Sequence, residues 1–121
     1  RTEKFTKNNT GIVMNIALNY GAREEITSAV REICKDVKNG KTDIDGITDK
    51  TVENHLYTKG QPDVDLLIRT SGEQRLSNFM LWQVSYAEMW FTNKLWPDFK
   101  PKHLRQAIYD FQNRGRRFGG V

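Results

Sequence analysis

Cysteine is nearly absent from this chain of 121 residues, and so are histidine and any long apolar run. The single thiol, Cys34, has no partner within the chain, so no internal disulfide forms. None is needed, because a domain of this size buries about two-thirds of its unfolded surface without staples. With no signal-peptide pattern present, a lone cysteine leads to the expectation of a reducing, cytoplasmic setting, with Cys34 as a small core residue. His55 and His103 have no Cys or His at ligand spacing, which excludes a zinc site of the usual kind. Lys, Asp, Glu or Arg interrupts every apolar stretch well short of the roughly 20 residues of a membrane-spanning helix. Repeats, low-complexity tracts and linkers are missing too, so residues 1–121 are expected to form one domain.

What is present has the rhythm of alternating elements. "GIVMNIALNY", bounded by Gly11 and Gly21, reads as a strand buried on both faces. In the next segment Ile26, Ala29, Val30, Ile33, Cys34 and Val37 recur at helical spacing, and Gly40 closes the pattern. Thr48 caps a second helix with Val52, His55 and Leu56 on one face, before "KGQPD" breaks it. "VDLLIRT" is a further short strand, and a helical turn from Ser77 followed by a strand near Ala87 to Phe91 is expected after it. Pro101 starts a last helix with Leu104, Ala107, Ile108 and Phe111 on one face, ended by Gly119 and Gly120. Strand, helix and strand in this order predict an α/β fold with a mostly parallel sheet flanked by helices.

Charge is uneven. The formal total is +4, yet Lys100 to Val121 holds six Lys or Arg against Asp110 alone, a local charge of +5. Such a patch attracts anions of any kind, whether nucleic acid, phospholipid or diphosphate. The densest set of anion-binding groups is "RTSGEQRLSN", which leaves the carboxyl end of the second strand, where open α/β sheets hold ligands. Arg69 and Arg75 offer forked donors, Thr70, Ser71 and Ser77 offer hydroxyls, and Gly72 lets backbone amides turn toward a ligand. Ser77 is also placed to cap the following turn, whose free N–H groups favour the same anion. Glu88 follows, and a carboxylate near two phosphates makes sense if it holds a Mg2+ that bridges them. The same side chains read equally well as surface ion pairs among Arg69, Glu73, Arg75 and Glu88.

The block "DLLIRTSGEQRLSNFMLWQVSYAEMWFTNKLWPDF", with "ALNYGAREEI" upstream and "RGRRFGG" at the end, closely resembles the cis-prenyltransferases, the undecaprenyl diphosphate synthase family. The resemblance covers about Gly11 to Gly120 and implies a Mg2+-dependent condensation of isopentenyl diphosphate with an allylic diphosphate such as farnesyl diphosphate. Each new double bond would be cis, and the product would be a long polyprenyl diphosphate such as undecaprenyl diphosphate, the carrier lipid of bacterial cell-wall synthesis. By the family pattern Arg69, Arg75 and Ser77 bind isopentenyl diphosphate, Glu88 helps bind the metal, and Arg117 with Gly119 reaches toward the partner subunit of a homodimer. Many members carry His where this chain has Gln74, which donates a hydrogen bond but does not titrate near neutral pH. Ala22 stands where the family's Asn-Tyr-Gly-Gly-Arg has a second glycine, so the backbone there is either ordinary or strained.

Members of the family are about twice this length, and their Met-Asp-Gly-Asn-Gly-Arg motif, which holds the allylic diphosphate, does not occur here. The chain, opening at Arg1, is therefore expected to be the carboxyl half of a longer enzyme and to be inactive alone. The aromatic residues suit either a lipid tunnel or core and dimer packing. A non-catalytic diphosphate-binding or dimer-forming subunit of the same fold is the alternative reading. A nucleic-acid binder is disfavoured, since no recognition motif accompanies the charge. The location expected is cytoplasmic, with peripheral membrane contact through the lipid product.

Overall fold

Helix α2, Ala22–Lys38, is the longest element, and its sequence explains both ends. Glu24 and Glu25 in the first turn and Lys35 and Lys38 in the last complement the helix dipole. Asn39 and Gly40 close it, donating their N–H groups to Lys35 and Val37, with Gly40 at φ +69° where L side chains are strained. The computed structural model describes residues 2–115, so Arg117, Gly119 and the expected double-glycine stop lie outside the described residues. Before α2 comes a short helix, α1 (Thr2–Thr6); after it come α3 (Asp49–Glu53), β1 (Leu66–Arg69), β2 (Glu88–Phe91) and α4 (Pro101–Gln112). No helix among the described residues is long and apolar enough to cross a membrane.

The two strands are parallel, with Leu66 opposite Glu88 and Arg69 opposite Phe91. The fold is α/β, as the alternation of patterns predicts. Parallel neighbours require a crossover, which here is the 18-residue stretch 70–87 of turns that carries the anion-binding groups. Leu67 of β1, Val84 of the crossover and Ala107 of α4 are buried, as are Leu56 after α3 and Ala29 and Ile33 of α2. Trp90 Nε1 donates to Asp110 Oδ2 at 2.7 Å, tying β2 to α4 and, with Gln106, holding the Asp110 carboxyl below its usual range.

Several expectations give way. "GIVMNIALNY" is not a strand: residues 12–17 join no ladder, and Ile12 and Leu18 are 98% and 83% exposed. A strand buried on both faces needs neighbours, and the described residues place none beside it. Cys34 is exposed, because the buried stripe of α2 runs through Ala22, Glu25, Ala29 and Ile33 and leaves Val30 and Cys34 on the solvent side. The opening stretch forms α1, and α4 ends at Gln112 with Asn113 as cap, well before the glycine pair. Along α4 only Ala107 is fully buried, while Leu104 and Ile108 stay about two-fifths exposed. Thr48 does cap α3, its N–H donating to Thr51 Oγ1 at 3.1 Å, and Pro101 does open α4.

His55 joins α2 to the turn after α3. Its Nδ1 meets the Thr51 carbonyl oxygen at 2.7 Å and its Nε2 meets Asp36 Oδ2 at 3.1 Å, two acceptors that only the doubly protonated ring satisfies. The Thr51 carbonyl first, then Asp36, raises the imidazole above its ordinary value, while His55 and Lys41 hold Asp36 below its own. A raised histidine contributes stability that is complete below its unfolded value of about 6.5 and lost as pH rises through the folded value. A depressed aspartate contributes above its unfolded value and loses that as pH falls. The clamp is therefore strongest between the two. Urea unfolding of wild type and His55→Gln at pH 6 and pH 8 should show the variant's deficit shrinking at the higher pH; an equal deficit at both would remove the charged clamp.

Candidate functional site

Arg69 is the last residue of β1, and the chain turns immediately through Ser71 and Gly72, at φ +68° and +72°. The Ser71 and Gly72 amides donate to the carbonyls of Lys94 and Thr92, at 2.8 and 2.9 Å. They close the turn onto the segment after β2 and are not offered to a ligand, a correction to the expected cradle. A Cβ at Gly72 would also sit 3.0 Å from Asn93 Oδ1, so the Asn93 side chain would have to give way.

Beyond this turn the chain runs back beneath the strand. Arg69 and Arg75 both line one cavity of about 240 Å3, whose remaining wall is Val64, Leu66, Leu67, Ile68, Leu76, Phe79, Met80 and Val84. Two arginines thus share the rim of an otherwise apolar hollow. Arg75 is ion-paired with Glu73, whereas the Arg69 guanidinium has no partner among the described residues. Ser77 is exposed on the same loop and does not line the cavity; Gln74 is exposed as well.

Tyr20 packs edge-to-face on Phe79, centroids 5.6 Å apart, and so backs this wall. Its hydroxyl donates to Glu25, a carboxylate only 1% exposed. Glu25 also accepts the Tyr57 N–H at 2.8 Å and Gln83 Nε2 at 3.1 and 3.2 Å. Burial first, then the bond to Glu25, pushes the Tyr20 phenol well above its ordinary value, so it stays a donor. Gln83 Oε1 is buried without a partner among the described residues. Neither Glu25 nor its donors stand out in the sequence, because Glu25 directly follows two other charged residues, Arg23 and Glu24.

Glu88 lies elsewhere. It opens β2 opposite Leu66, about 10 Å along the strands from the level of Arg69. Its Oε2 accepts from Arg114 Nη1 at 2.9 Å, and the same nitrogen donates to the Met89 carbonyl at 2.9 Å. The ion-pair reading is thus realised for Arg75 with Glu73, while Glu88 takes a cation that spacing did not suggest. Among the described residues no group of three or more His, Cys, Asp or Glu side chains could hold a metal ion. A lone carboxylate still suits Mg2+, which is commonly held by one or two carboxylates together with substrate phosphates.

The sequence reading placed Asn78 among the anion-binding groups and did not reveal its contact with α2. Its backbone oxygen accepts from the Ala22 N–H at 2.8 Å, and its Oδ1 accepts from the Arg23 N–H at 2.9 Å, capping α2 from outside. Ala22 is helical and buried, so the backbone where the resembled motif has a second glycine is ordinary.

A family model described as "Putative undecaprenyl diphosphate synthase" matches residues 1–119. The chain belongs to this family. Members similar to it include the isoprenyl transferase of Clostridium tetani, 58% identical over 116 residues, covering 96% of this chain and 46% of the relative. That of Geobacillus kaustophilus is 57% identical over 118 residues, covering 98% and 46%. Lavandulyl diphosphate synthase from Lavandula x intermedia, solved in complex with dimethylallyl diphosphate, superposes with a TM-score of 0.93 at 44% identity, covering 97% of this chain and 50% of that one. A structure titled as a probable undecaprenyl diphosphate synthase from Campylobacter jejuni gives 0.81 at 36%, covering 97% and 52%. This member of the undecaprenyl diphosphate synthase family spans about half the length of the relatives it matches.

Proposed function

We propose that this chain is the carboxyl half of a cis-prenyltransferase that adds isopentenyl diphosphate to an allylic diphosphate of the farnesyl type. The product would be a long cis-polyprenyl diphosphate such as undecaprenyl diphosphate. One observation carries the reading: Arg69, at the carboxyl end of a parallel strand, and Arg75 line the same otherwise apolar hollow. Isopentenyl diphosphate has the same two-part character, a five-carbon apolar unit joined to a polyanion.

In this reading Arg69 and Arg75, with Ser77 from the loop between them and α2, hold the diphosphate, and the apolar wall orients the five-carbon unit. The double bond of that unit attacks the first carbon of the allylic partner, whose bond to oxygen breaks as diphosphate leaves, and a proton is lost from the newly joined unit. Mg2+, with Glu88 among its ligands, supplies charge neutralisation for the leaving diphosphate when bound. Arg117 and Gly119, outside the described residues, would serve the partner subunit's site in a homodimer, as the family pattern implies. The setting is cytoplasmic, with peripheral membrane contact through the lipid product. A second reading, a non-catalytic diphosphate-binding or dimer-forming subunit, draws support from the hold of Arg114 on Glu88 and from the distance between Glu88 and Arg69.

Incorporation of labelled isopentenyl diphosphate, with farnesyl diphosphate and Mg2+, separates these readings. The intact protein should incorporate label and the 121-residue chain should not; incorporation by neither, with isopentenyl diphosphate still bound, favours the non-catalytic subunit. Glu88→Ala should lower turnover by about tenfold or more and shift the Mg2+ requirement upward. An unchanged Mg2+ titration would end the metal role of Glu88.

A further inference from the structure

We propose that Asn78 is a positioning residue, which seats the diphosphate loop on the amino end of α2 and thereby holds Arg75 at the cavity it shares with Arg69. The inference rests on the diphosphate-binding reading and adds to it a residue that contacts no substrate. Three observations meet at Asn78. First, α2 has no cap of its own, because its N-cap is Gly21, which has no side chain. Two of the amides left over at the helix start are instead satisfied by Asn78, through its backbone oxygen and its Oδ1.

Second, the Asn78 side chain lies directly against residue 21, so that any side chain there would make the Asn78 amide shift. A Cβ on Gly21 would stand 2.9 Å from Asn78 Nδ2, closer than such atoms pack. Gly21 is at φ −143°, an ordinary extended value, so its requirement is space for Asn78 and not backbone freedom.

Third, the loop that Asn78 anchors is strained. Ser77, Asn78 and Met80 all sit at positive φ, +49°, +63° and +48°. Asparagine tolerates this region, but serine and methionine do so at a cost, and such backbone persists only where its surroundings over-determine it. The docking onto α2 is what over-determines it here. Arg75 lies three residues before Asn78 and Met80 two after, and both line the cavity. Without the anchor, the loop relaxes and Arg75 leaves the position at which one diphosphate meets both guanidiniums.

The test uses the intact protein with Asn78→Ala, Asn78→Asp and Gly21→Ala, beside Arg69→Ala. Asn78→Ala removes one of the two bonds that hold the loop on α2 and should raise the Michaelis constant for isopentenyl diphosphate about five- to tenfold. Turnover and the constant for the allylic substrate should stay near wild type, as expected when only uniform binding is lost. Asn78→Asp keeps the acceptor and suits the positive end of a helix, so it should restore near-normal binding. Gly21→Ala pushes the same contact apart from the other side and should reproduce the Asn78→Ala effect. Faster hydrogen exchange at the Arg23 amide in both weakened variants should accompany the change.

A merely structural residue would lower the active fraction and the melting temperature with an unchanged Michaelis constant, and that result in Asn78→Ala overturns the inference. Should Asn78→Ala fail to fold, Gly21→Ala decides: a raised constant supports the anchor, and a normal one overturns it. If Arg69→Ala itself binds isopentenyl diphosphate normally, the diphosphate-binding reading falls. If Arg69→Ala is impaired while Asn78→Ala and Gly21→Ala are not, only the positioning role falls.

Discussion

Arg69→Ala in the intact protein is expected to raise the Michaelis constant for isopentenyl diphosphate by about ten- to a hundredfold. A hydrogen bond to a charged group is worth about 1.5–3 kcal/mol net, and each 1.4 kcal/mol is tenfold. Arg69 has no ion-pair partner among the described residues, so the alanine variant loses the ligand contact and little else. Arg75 differs, because it must exchange Glu73 for the diphosphate. Arg75→Ala is thus expected to cost less than Arg69→Ala, and Glu73→Gln should lower the Michaelis constant slightly by releasing Arg75. Arg69→Lys should recover only part of the loss, since an ammonium lacks the planar fork. Initial rates at varied isopentenyl diphosphate check the series. Normal saturation in both alanine variants would sink the assignment of this cavity to a diphosphate.

Glu25→Ala is expected to cost about 3–5 kcal/mol of stability, the range of substitutions that break a buried polar network. Glu25 is a buried carboxylate without a basic partner among the described residues, and it is kept there by donors from three separate segments: Tyr20, Tyr57 and Gln83. Alanine leaves each of those donors facing a void, at roughly 1–3 kcal/mol apiece when buried. Glu25→Gln is the sharper probe. It keeps the shape but turns one acceptor into a donor aimed at other donors, so an intermediate loss of about 1–3 kcal/mol is expected. It also removes the neighbouring carboxylate that helps raise the Tyr20 phenol, so phenolate absorbance should show Tyr20 ionising at lower pH than in the wild type. Because Tyr20 backs Phe79 at the cavity wall, the loss should reach isopentenyl diphosphate binding as well. Equal denaturation midpoints for wild type and Glu25→Ala would show that the network carries no net stability.

Much of the framework was legible because it depends on residues three or four apart. The stripe of α2, Thr48 before α3, Pro101 at the start of α4 and the apolar pulses of β1 and β2 are local signals, and each element stands close to where its pattern places it. That Arg69 and Arg75 come to one place was legible for the same reason, since they lie six residues apart and line one cavity. Family resemblance extended that reading to the whole stretch, and residues 1–119 match the family.

Partner choice was not legible, because it is set by groups far apart along the chain. "GIVMNIALNY" has the composition of a strand, but strand formation depends on a neighbour to pair with, and none lies beside it among the described residues. Cys34 and Val30 satisfy helical spacing, yet which edge of a stripe is covered depends on what packs there. Glu88 meets Arg114 across 26 positions, Glu25 meets Gln83 across 58, and Asn78 meets Arg23 across 55. Spacing along the chain decides which segments curl or extend. Only the packed structure decides which buried donor faces which acceptor, because a polar group taken out of water must find its partner wherever the fold has brought one.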